Sequence, residues 1–219
     1  MKKINLILVI ILSFILSINA FSQNASLGVK GGLNLSNMIV KNDDETLSAD
    51  YKMLAGFHVY PFIEYSFSDL FAIDAGLNFQ SRGYSIIEDN FKRRFTSLYI
   101  DIPINAKFNF DLGSVKLFCN VGPYVAFGIG GTVYTKTTIG NYTTTARRDI
   151  DWGDDLKSTD YGLNIGVGLD INNFIVGLNY GWGIANLSTI DNDHNRVNNY
   201  GIKMHNYLIS ISLGYKFDL

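Results

Sequence analysis

Apolar and polar residues alternate along most of this chain, and the alternation recurs in eight stretches. In Leu27 to Met38, residues Leu27, Val29, Gly31, Leu33 and Leu35 fall on one face and Lys30, Asn34 and Ser36 on the other. In Asp160 to Ile171, Tyr161, Leu163, Ile165, Val167, Leu169 and Ile171 oppose Asp160, Gly162, Asn164, Gly166, Gly168 and Asp170. The same pattern runs through Leu54 to Tyr65, Phe71 to Gly83, Thr96 to Phe110, Val115 to Val133, Phe174 to Asn186 and Asn206 to Phe217. A period of two over this length predicts β-strands with one apolar and one polar face. The strands are roughly twice the usual 5–6 residues, and exceed the ~9–11 residues needed to cross a bilayer at a tilt.

The connections also alternate. Ser66 to Leu70, Asp111 to Ser114 and Asn172-Asn173 are short. Ile39 to Met53, Tyr84 to Phe95, Tyr134 to Thr159 and Leu187 to His205 are long and polar. Short turns at one end and long loops at the other predict an all-β, eight-stranded, antiparallel up-and-down transmembrane barrel. A soluble eight-stranded barrel would reverse the faces. Three features favour the membrane. The polar face is dense in Gly and Asn and poor in the Lys and Glu of a solvated surface. Aromatics on the apolar face gather in two girdles, which both interfaces of a bilayer select. Tyr65, Phe71, Phe108, Phe110, Phe174, Tyr215 and Phe217 lie toward the short turns, and Phe57, Phe79, Tyr161, Trp182 and Tyr207 toward the long loops. Finally, Ser212, Gly214, Phe217 and Leu219 form a polar-x-Gly-x-x-apolar-x-apolar ending that resembles the signal read by barrel-assembly machinery. Pro61 is expected outward and Pro103 inward, each removing one ladder donor.

Composition sharpens this picture. The chain has 219 residues, 17% charged, with 15 Phe, 13 Tyr, 21 Gly and a single Cys. One cysteine excludes an intrachain disulfide framework. A net charge of −2 leaves no electrostatic footprint for nucleic acid. Met1-Lys2-Lys3 is a short basic start, Ile4 to Ile18 is nearly all apolar, and Asn19 to Ser22 supplies small residues. This is a secretory signal peptide, residues 1–22, cut before Gln23, with a cut after Ala20 as second choice. The barrel domain is then 23–219, exported and integral to the bacterial outer membrane.

Several segments together resemble the PorT-type, OmpA-like outer-membrane barrels of Bacteroidota. They are GVKGGLNLSNM (28–38), YIDIPINAKFNF (99–110), Gly122-Pro123-Tyr124, DYGLNIGVG (160–168) and SLGYKF (212–217). The resemblance spans the mature chain and implies an eight-stranded outer-membrane barrel. Its eponymous member is linked to type IX secretion; most relatives have no assigned activity, so that link does not transfer.

Candidate chemistry lies mostly on the polar face, which carries Lys30, Glu64, Asp74, Arg82, Asp101, Lys107, Lys116, Asp160, Asp170 and Lys216. Five charges of each sign are expected to neutralise one another in a narrow lumen; the alternative is a gated ion path. His58 shares this face and is expected to be a packed histidine. A lipid-modifying or proteolytic enzyme would need His194 or His205 with Ser188, Asp191 or Asp193 near the outer rim. Metal sites at Asp43, Asp44 and Glu45, or at Asp191, Asp193 and His194, are disfavoured as solvated loop tips. Cys119 is expected to face lipid. No cofactor, metal or catalytic set is assigned. The expected partners are outer-membrane lipid, the assembly machinery during biogenesis, and an envelope or extracellular protein reached through the long loops. The leading expectation is a non-enzymatic scaffold or interaction protein. A narrow porin-like channel comes second and an outer-membrane enzyme third.

Overall fold

The computed structural model describes residues 24–42, 46–48, 50–189 and 202–219. The expected signal peptide lies outside the described residues. Ten strands follow in order: β1 (Ala25–Lys41), β2 (Lys52–Ser66), β3 (Phe71–Gly76), β4 (Asn78–Ile87), β5 (Phe91–Asp111), β6 (Lys116–Ile139), β7 (Tyr142–Asp149), β8 (Thr159–Ile171), β9 (Phe174–Gly183) and β10 (Lys203–Asp218). They form a ring of eight, because β3 and β4 are two halves of one staves-like strand and β7 lies outside the ring. Antiparallel pairing of β10 with β1, from Ser26–Asp218 to Lys41–Lys203, closes it. Closure removes the free edges that hydrocarbon cannot solvate.

The break between β3 and β4 has a local cause. Pro61 accepts the Leu77 N–H at 3.1 Å, but has no N–H to return, so the ladder lapses there. Pro61 is exposed outward and Pro103 is buried inward. Beside Pro103, the β5–β6 pairing skips Ile104 and Asn105. At the other end, the β8–β9 turn consists of Asn172 and Asn173, with φ of 48° and 74°. Positive φ at both positions is what a two-residue hairpin turn matching strand twist requires, and Asn tolerates it.

Following partners once round the ring fixes the barrel's geometry. Ala25 leads through Tyr65, Ile73, Ala106, Val121, Ile165, Tyr180 and Ile209 back to Leu35, ten residues along β1. A stagger of ten over eight strands corresponds to a tilt of roughly 40°, given a rise of ~3.3 Å and a spacing of ~4.8 Å. So narrow a barrel leaves inside little more than the volume of its side chains. Exposure decides which face looks out. Leu33 and Leu213 are 68% and 66% exposed, whereas Asn34, Asp74 and Asp160 are 0% exposed. An apolar exterior around a polar, desolvated interior is the arrangement that a bilayer stabilises.

The upper ends differ from expectation. The long loop expected at Tyr84 to Phe95 is mostly strand: β4 and β5 extend to Ile87 and from Phe91, leaving a three-residue turn. The third loop contains a hairpin of its own, in which the upper part of β6 pairs with β7 and not with β8. The Thr-rich third loop (Tyr134 to Thr145) is expected from its length and composition to extend its hairpin above the membrane, and it does so; the strand over Tyr84 to Phe95 is not anticipated, because most of its outer residues are polar.

Candidate functional site

Inward side chains fill the lumen in layers. Nearest the short turns, Lys107 Nζ donates to Glu64 Oε2 at 2.7 Å, and Lys216 Nζ to Glu64 Oε1 and Asp170 Oδ2, both at 2.9 Å. Lys107 and Asp170 complete a ring of alternating charge at 4.0 Å. Its members come from β5, β2, β10 and β8. Four tilted strands are thus tied across the axis, and each carboxylate is matched by cations before it is desolvated.

Above this ring, Lys30 lies over the rings of Phe62, Tyr60 and Phe118, at 4.5, 5.5 and 5.8 Å from their centroids. Such contacts hold a desolvated ammonium without a carboxylate. Gly28 and Gly168 make room for these inward aromatics: a Cβ would sit 2.2 Å from the Phe62 ring and 2.4 Å from the Phe118 ring. Next comes a polar cavity of about 60 Å³, lined in part by Asn78, Asn105, Asn120, Asn164 and Asn179, large enough for a few waters. His58 borders it. Its Nδ1 bonds Asn34 Oδ1 at 2.8 Å and its Nε2 bonds Ser212 Oγ at 2.9 Å. Both nitrogens are engaged by neutral groups, so this histidine ties β2 to β1 and β10. Tyr60 and Asn105 both donate to Asp74 Oδ1, at 2.6 and 2.9 Å.

The third layer is centred on Arg82, which is 1% exposed. It pairs with Asp101, and with Asp160 Oδ2 at 2.6 Å. Its guanidinium is 4.9 Å from the ring centroids of both Tyr99 and Tyr124. Gln80 links Asp101 to Asn34, and Asn206 donates to Asp160 at 3.1 Å. One hydrogen-bonded network therefore runs from His58 through Asn34, Gln80, Asp101, Arg82 and Asp160 to Asn206.

An apolar cap closes the end beneath the long loops. Met38, Val40, Phe95, Val133, Ile150, Leu156, Ala185 and Leu187 form one buried cluster. Ile150 and Leu156 belong to a segment that folds back from β7 over the barrel mouth. Trp152 in that segment packs edge-on to Tyr99, with centroids 5.4 Å apart. Gly128 admits the indole, since a Cβ there would lie 2.4 Å from it. The segment is pinned outside by Arg148, which donates to Asp155 Oδ1 at 2.8 Å. This hydrogen bond holds the Asp155 carboxyl down at about 2, and raises Arg148 above its ordinary value.

Of the expected lumen residues, Lys30, Glu64, Asp74, Arg82, Asp101, Lys107, Asp160 and Asp170 are buried and Lys216 is half-buried. Lys116 departs from expectation. It is exposed at the rim, lining the open mouth beside Glu64, Asp170 and Lys216, because it is the first residue of β6. Of the aromatics, Phe57, Phe79, Phe108, Phe110, Tyr161, Phe174, Trp182 and Phe217 are exposed outward, while Tyr65, Phe71, Tyr207 and Tyr215 are half-buried. Near the short turns, Phe71 packs on Phe108 at 5.4 Å and Tyr215 on Phe174 at 5.0 Å. In the terminal segment, Phe217 and Leu219 are exposed, Ser212 points to His58, and Gly214 lies close under Val29 O. Cys119 is partly exposed and free.

Sequence reasoning missed the inward rings of Phe62 and Phe118 and the whole cap. Phe62 and Phe118 have inward parity, so strict alternation would have found them. The cap draws on a loop and had no periodic signal. Ser188 is buried, and His205 lies on β10 opposite Ile39. Asp191, Asp193 and His194 lie outside the described residues, as do Asp43, Asp44 and Glu45. Among the described residues, no group of three His, Cys, Asp or Glu side chains is placed to hold a metal ion.

A closed, tilted ring with lipid-compatible aromatics outside and ion pairs inside meets its counterpart in sequence. The family model of the outer membrane protein beta-barrel domain matches residues 21–189. The chain belongs to that family. It is an integral outer-membrane barrel. It is similar in structure to Ail, the attachment invasion locus protein of Yersinia pestis, at 17% identity, covering 89% of this chain and 99% of that one, with a TM-score of 0.41. It is also similar to Neisserial surface protein A, at 13% identity, 89% and 99% coverage and a TM-score of 0.45. Its similarity to the outer membrane protease OmpT of Escherichia coli has 10% identity, 90% and 97% coverage and a TM-score of 0.32. No curated protein matches the sequence significantly.

Proposed function

We propose that this outer-membrane barrel is a non-enzymatic scaffold, closed to solutes, that holds its extracellular hairpin and loops toward a partner in the envelope or outside the cell. One observation carries the reading: the interior is filled at three successive levels. An ion crossing it would have to part the Lys107–Glu64–Lys216–Asp170 ring, the Arg82 layer, and the apolar cap around Ile150 and Leu156. Breaking one buried ion pair costs about 3–5 kcal/mol, which is a barrier to conduction rather than a path. The surface left for recognition is the hairpin, where every residue of β7 is exposed and Tyr142 reaches 83%. Phe217 near the end of the last strand and Leu219 just beyond it, both exposed, supply the contact for the assembly machinery in this reading.

Planar-bilayer recording tests the closed state. The purified protein is expected to give no steady single-channel steps. Steady steps that vanish with Arg82→Met or Lys107→Met would overturn the scaffold reading in favour of a narrow channel.

A further inference from the structure

The sheet that rises above the barrel carries an unpaired cationic face. Along one register row, Lys52 of β2, Ser85 of β4, Arg94 of β5, Tyr134 of β6 and Arg147 of β7 are successive neighbours. The next row up places Lys92 beside Lys136. Sequence neighbours fix the direction of these side chains. Phe95 and Val133 are buried in the cap, so Arg94 and Tyr134 point to the opposite, outer face. Tyr51 stacks on Tyr84 against that cap, which turns Lys52 outward. Lys52, Arg94, Lys136 and Arg147 are exposed and Lys92 is half-buried. Neither row contains an acid; Asp149, opposite Thr132 one row below, is the nearest on β7. Among the described residues, none of these five cations has an ion-pair partner.

Height along the barrel identifies the ligand. The outward residues of β5 from Phe110 to Leu98 are all apolar: Phe110, Phe108, Ala106, Ile104, Ile102, Ile100 and Leu98. Twelve residues at ~3.3 Å, tilted by roughly 40°, cover about 30 Å, the thickness of the hydrocarbon layer. Arg94 stands four residues further on, roughly 10 Å above that layer, where headgroups lie. Long basic side chains reach down from this height, and Tyr134 between the two arginines suits an interface. Arg94 and Arg147 are two strands apart, about 10 Å, which favours an anion with more than one phosphate.

We infer that the outer face of the β5–β6–β7 extension binds the phosphate groups of an outer-leaflet glycolipid, with Arg94 and Arg147 at the centre of the contact. This seats the extracellular sheet against the membrane surface. It rests on the outer-membrane location and not on the scaffold reading.

Native mass spectrometry of the detergent-purified protein tests the inference. The probes are bis-phosphorylated lipid A, its dephosphorylated counterpart and inorganic phosphate. At ~1 kcal/mol per basic residue near an anionic surface, R94Q/R147Q is expected to bind phosphorylated lipid A roughly thirtyfold more weakly. R94K/R147K should retain most binding, and K157Q, outside the patch, should match the native protein. R147Q alone, on a hairpin outside the ring, repeats the test without touching the barrel, with about a fivefold loss expected. Equal binding of dephosphorylated lipid A, native-like binding by R94Q/R147Q and R147Q, or displacement of lipid A by equimolar inorganic phosphate would each overturn it.

Discussion

Arg82→Met is the sharpest probe of the barrel interior. It removes the one cation between Asp101 and Asp160, which are 2% and 0% exposed. Two buried carboxylates are then left facing each other without counter-charge. Removing one partner of a buried ion pair costs about 3–5 kcal/mol. The lost stacking on Tyr99 and Tyr124 adds about 1 kcal/mol for each ring. The expected loss is therefore about 5 kcal/mol, tempered by protonation of one carboxylate. Neutralising the layer reverses the logic: Arg82→Met with Asp101→Asn and Asp160→Asn removes the stranded charges, and should recover at least half of the loss. The assay is urea unfolding in lipid vesicles, followed by heat-modifiable gel mobility and, in a Trp182→Phe background, by Trp152 emission, since Trp152 packs on Tyr99. A loss below 1 kcal/mol for the single variant, or a triple variant less stable than the single, would refute the claim that this layer is held by charge compensation.

Three further outcomes follow from the same geometry. Glu64→Gln leaves Lys107 and Lys216 sharing the single carboxylate of Asp170 and should lower unfolding stability by about 3 kcal/mol, with a native-like urea midpoint counting against the ring. Gly168→Ala puts a methyl 2.4 Å from both the Phe118 ring and Val176 O; overpacking of this kind costs about 1–3 kcal/mol, measurable in the same titration. For the Arg148–Asp155 latch, the carboxyl is depressed in the folded state from 3.8 to about 2. Its contribution is thus complete above the unfolded value and fades as pH falls through about 2; a carboxyl NMR midpoint for Asp155 near 4 would show the latch open.

Much of the barrel was legible because alternation has one physical cause along every strand. A strand between lipid and lumen must place Ile165 outward and Asn164 inward, and no other arrangement suits both solvents. The same rule gave the lumen charges as a set, since Glu64, Arg82 and Asp160 share inward parity. It could not say who pairs with whom. Arg82 meets Asp160 across 78 positions of sequence, and that meeting depends on the ten-residue stagger of the closed ring. The cap was invisible for a related reason. Ile150 and Leu156 sit in a loop without periodicity, and their burial exists only once the loop folds over residues from other strands.

By itself, then, the sequence determined the number of membrane-crossing strands, their faces and the end that bears long loops. Each of these follows from local contrast between apolar and polar neighbours. Tertiary structure alone decided that the lumen is layered and capped, that Lys116 escapes to the rim, and that Arg94 and Arg147 fall in one register row on either side of Tyr134. Those facts depend on register between strands, which is set by closure of the whole ring and by no single segment.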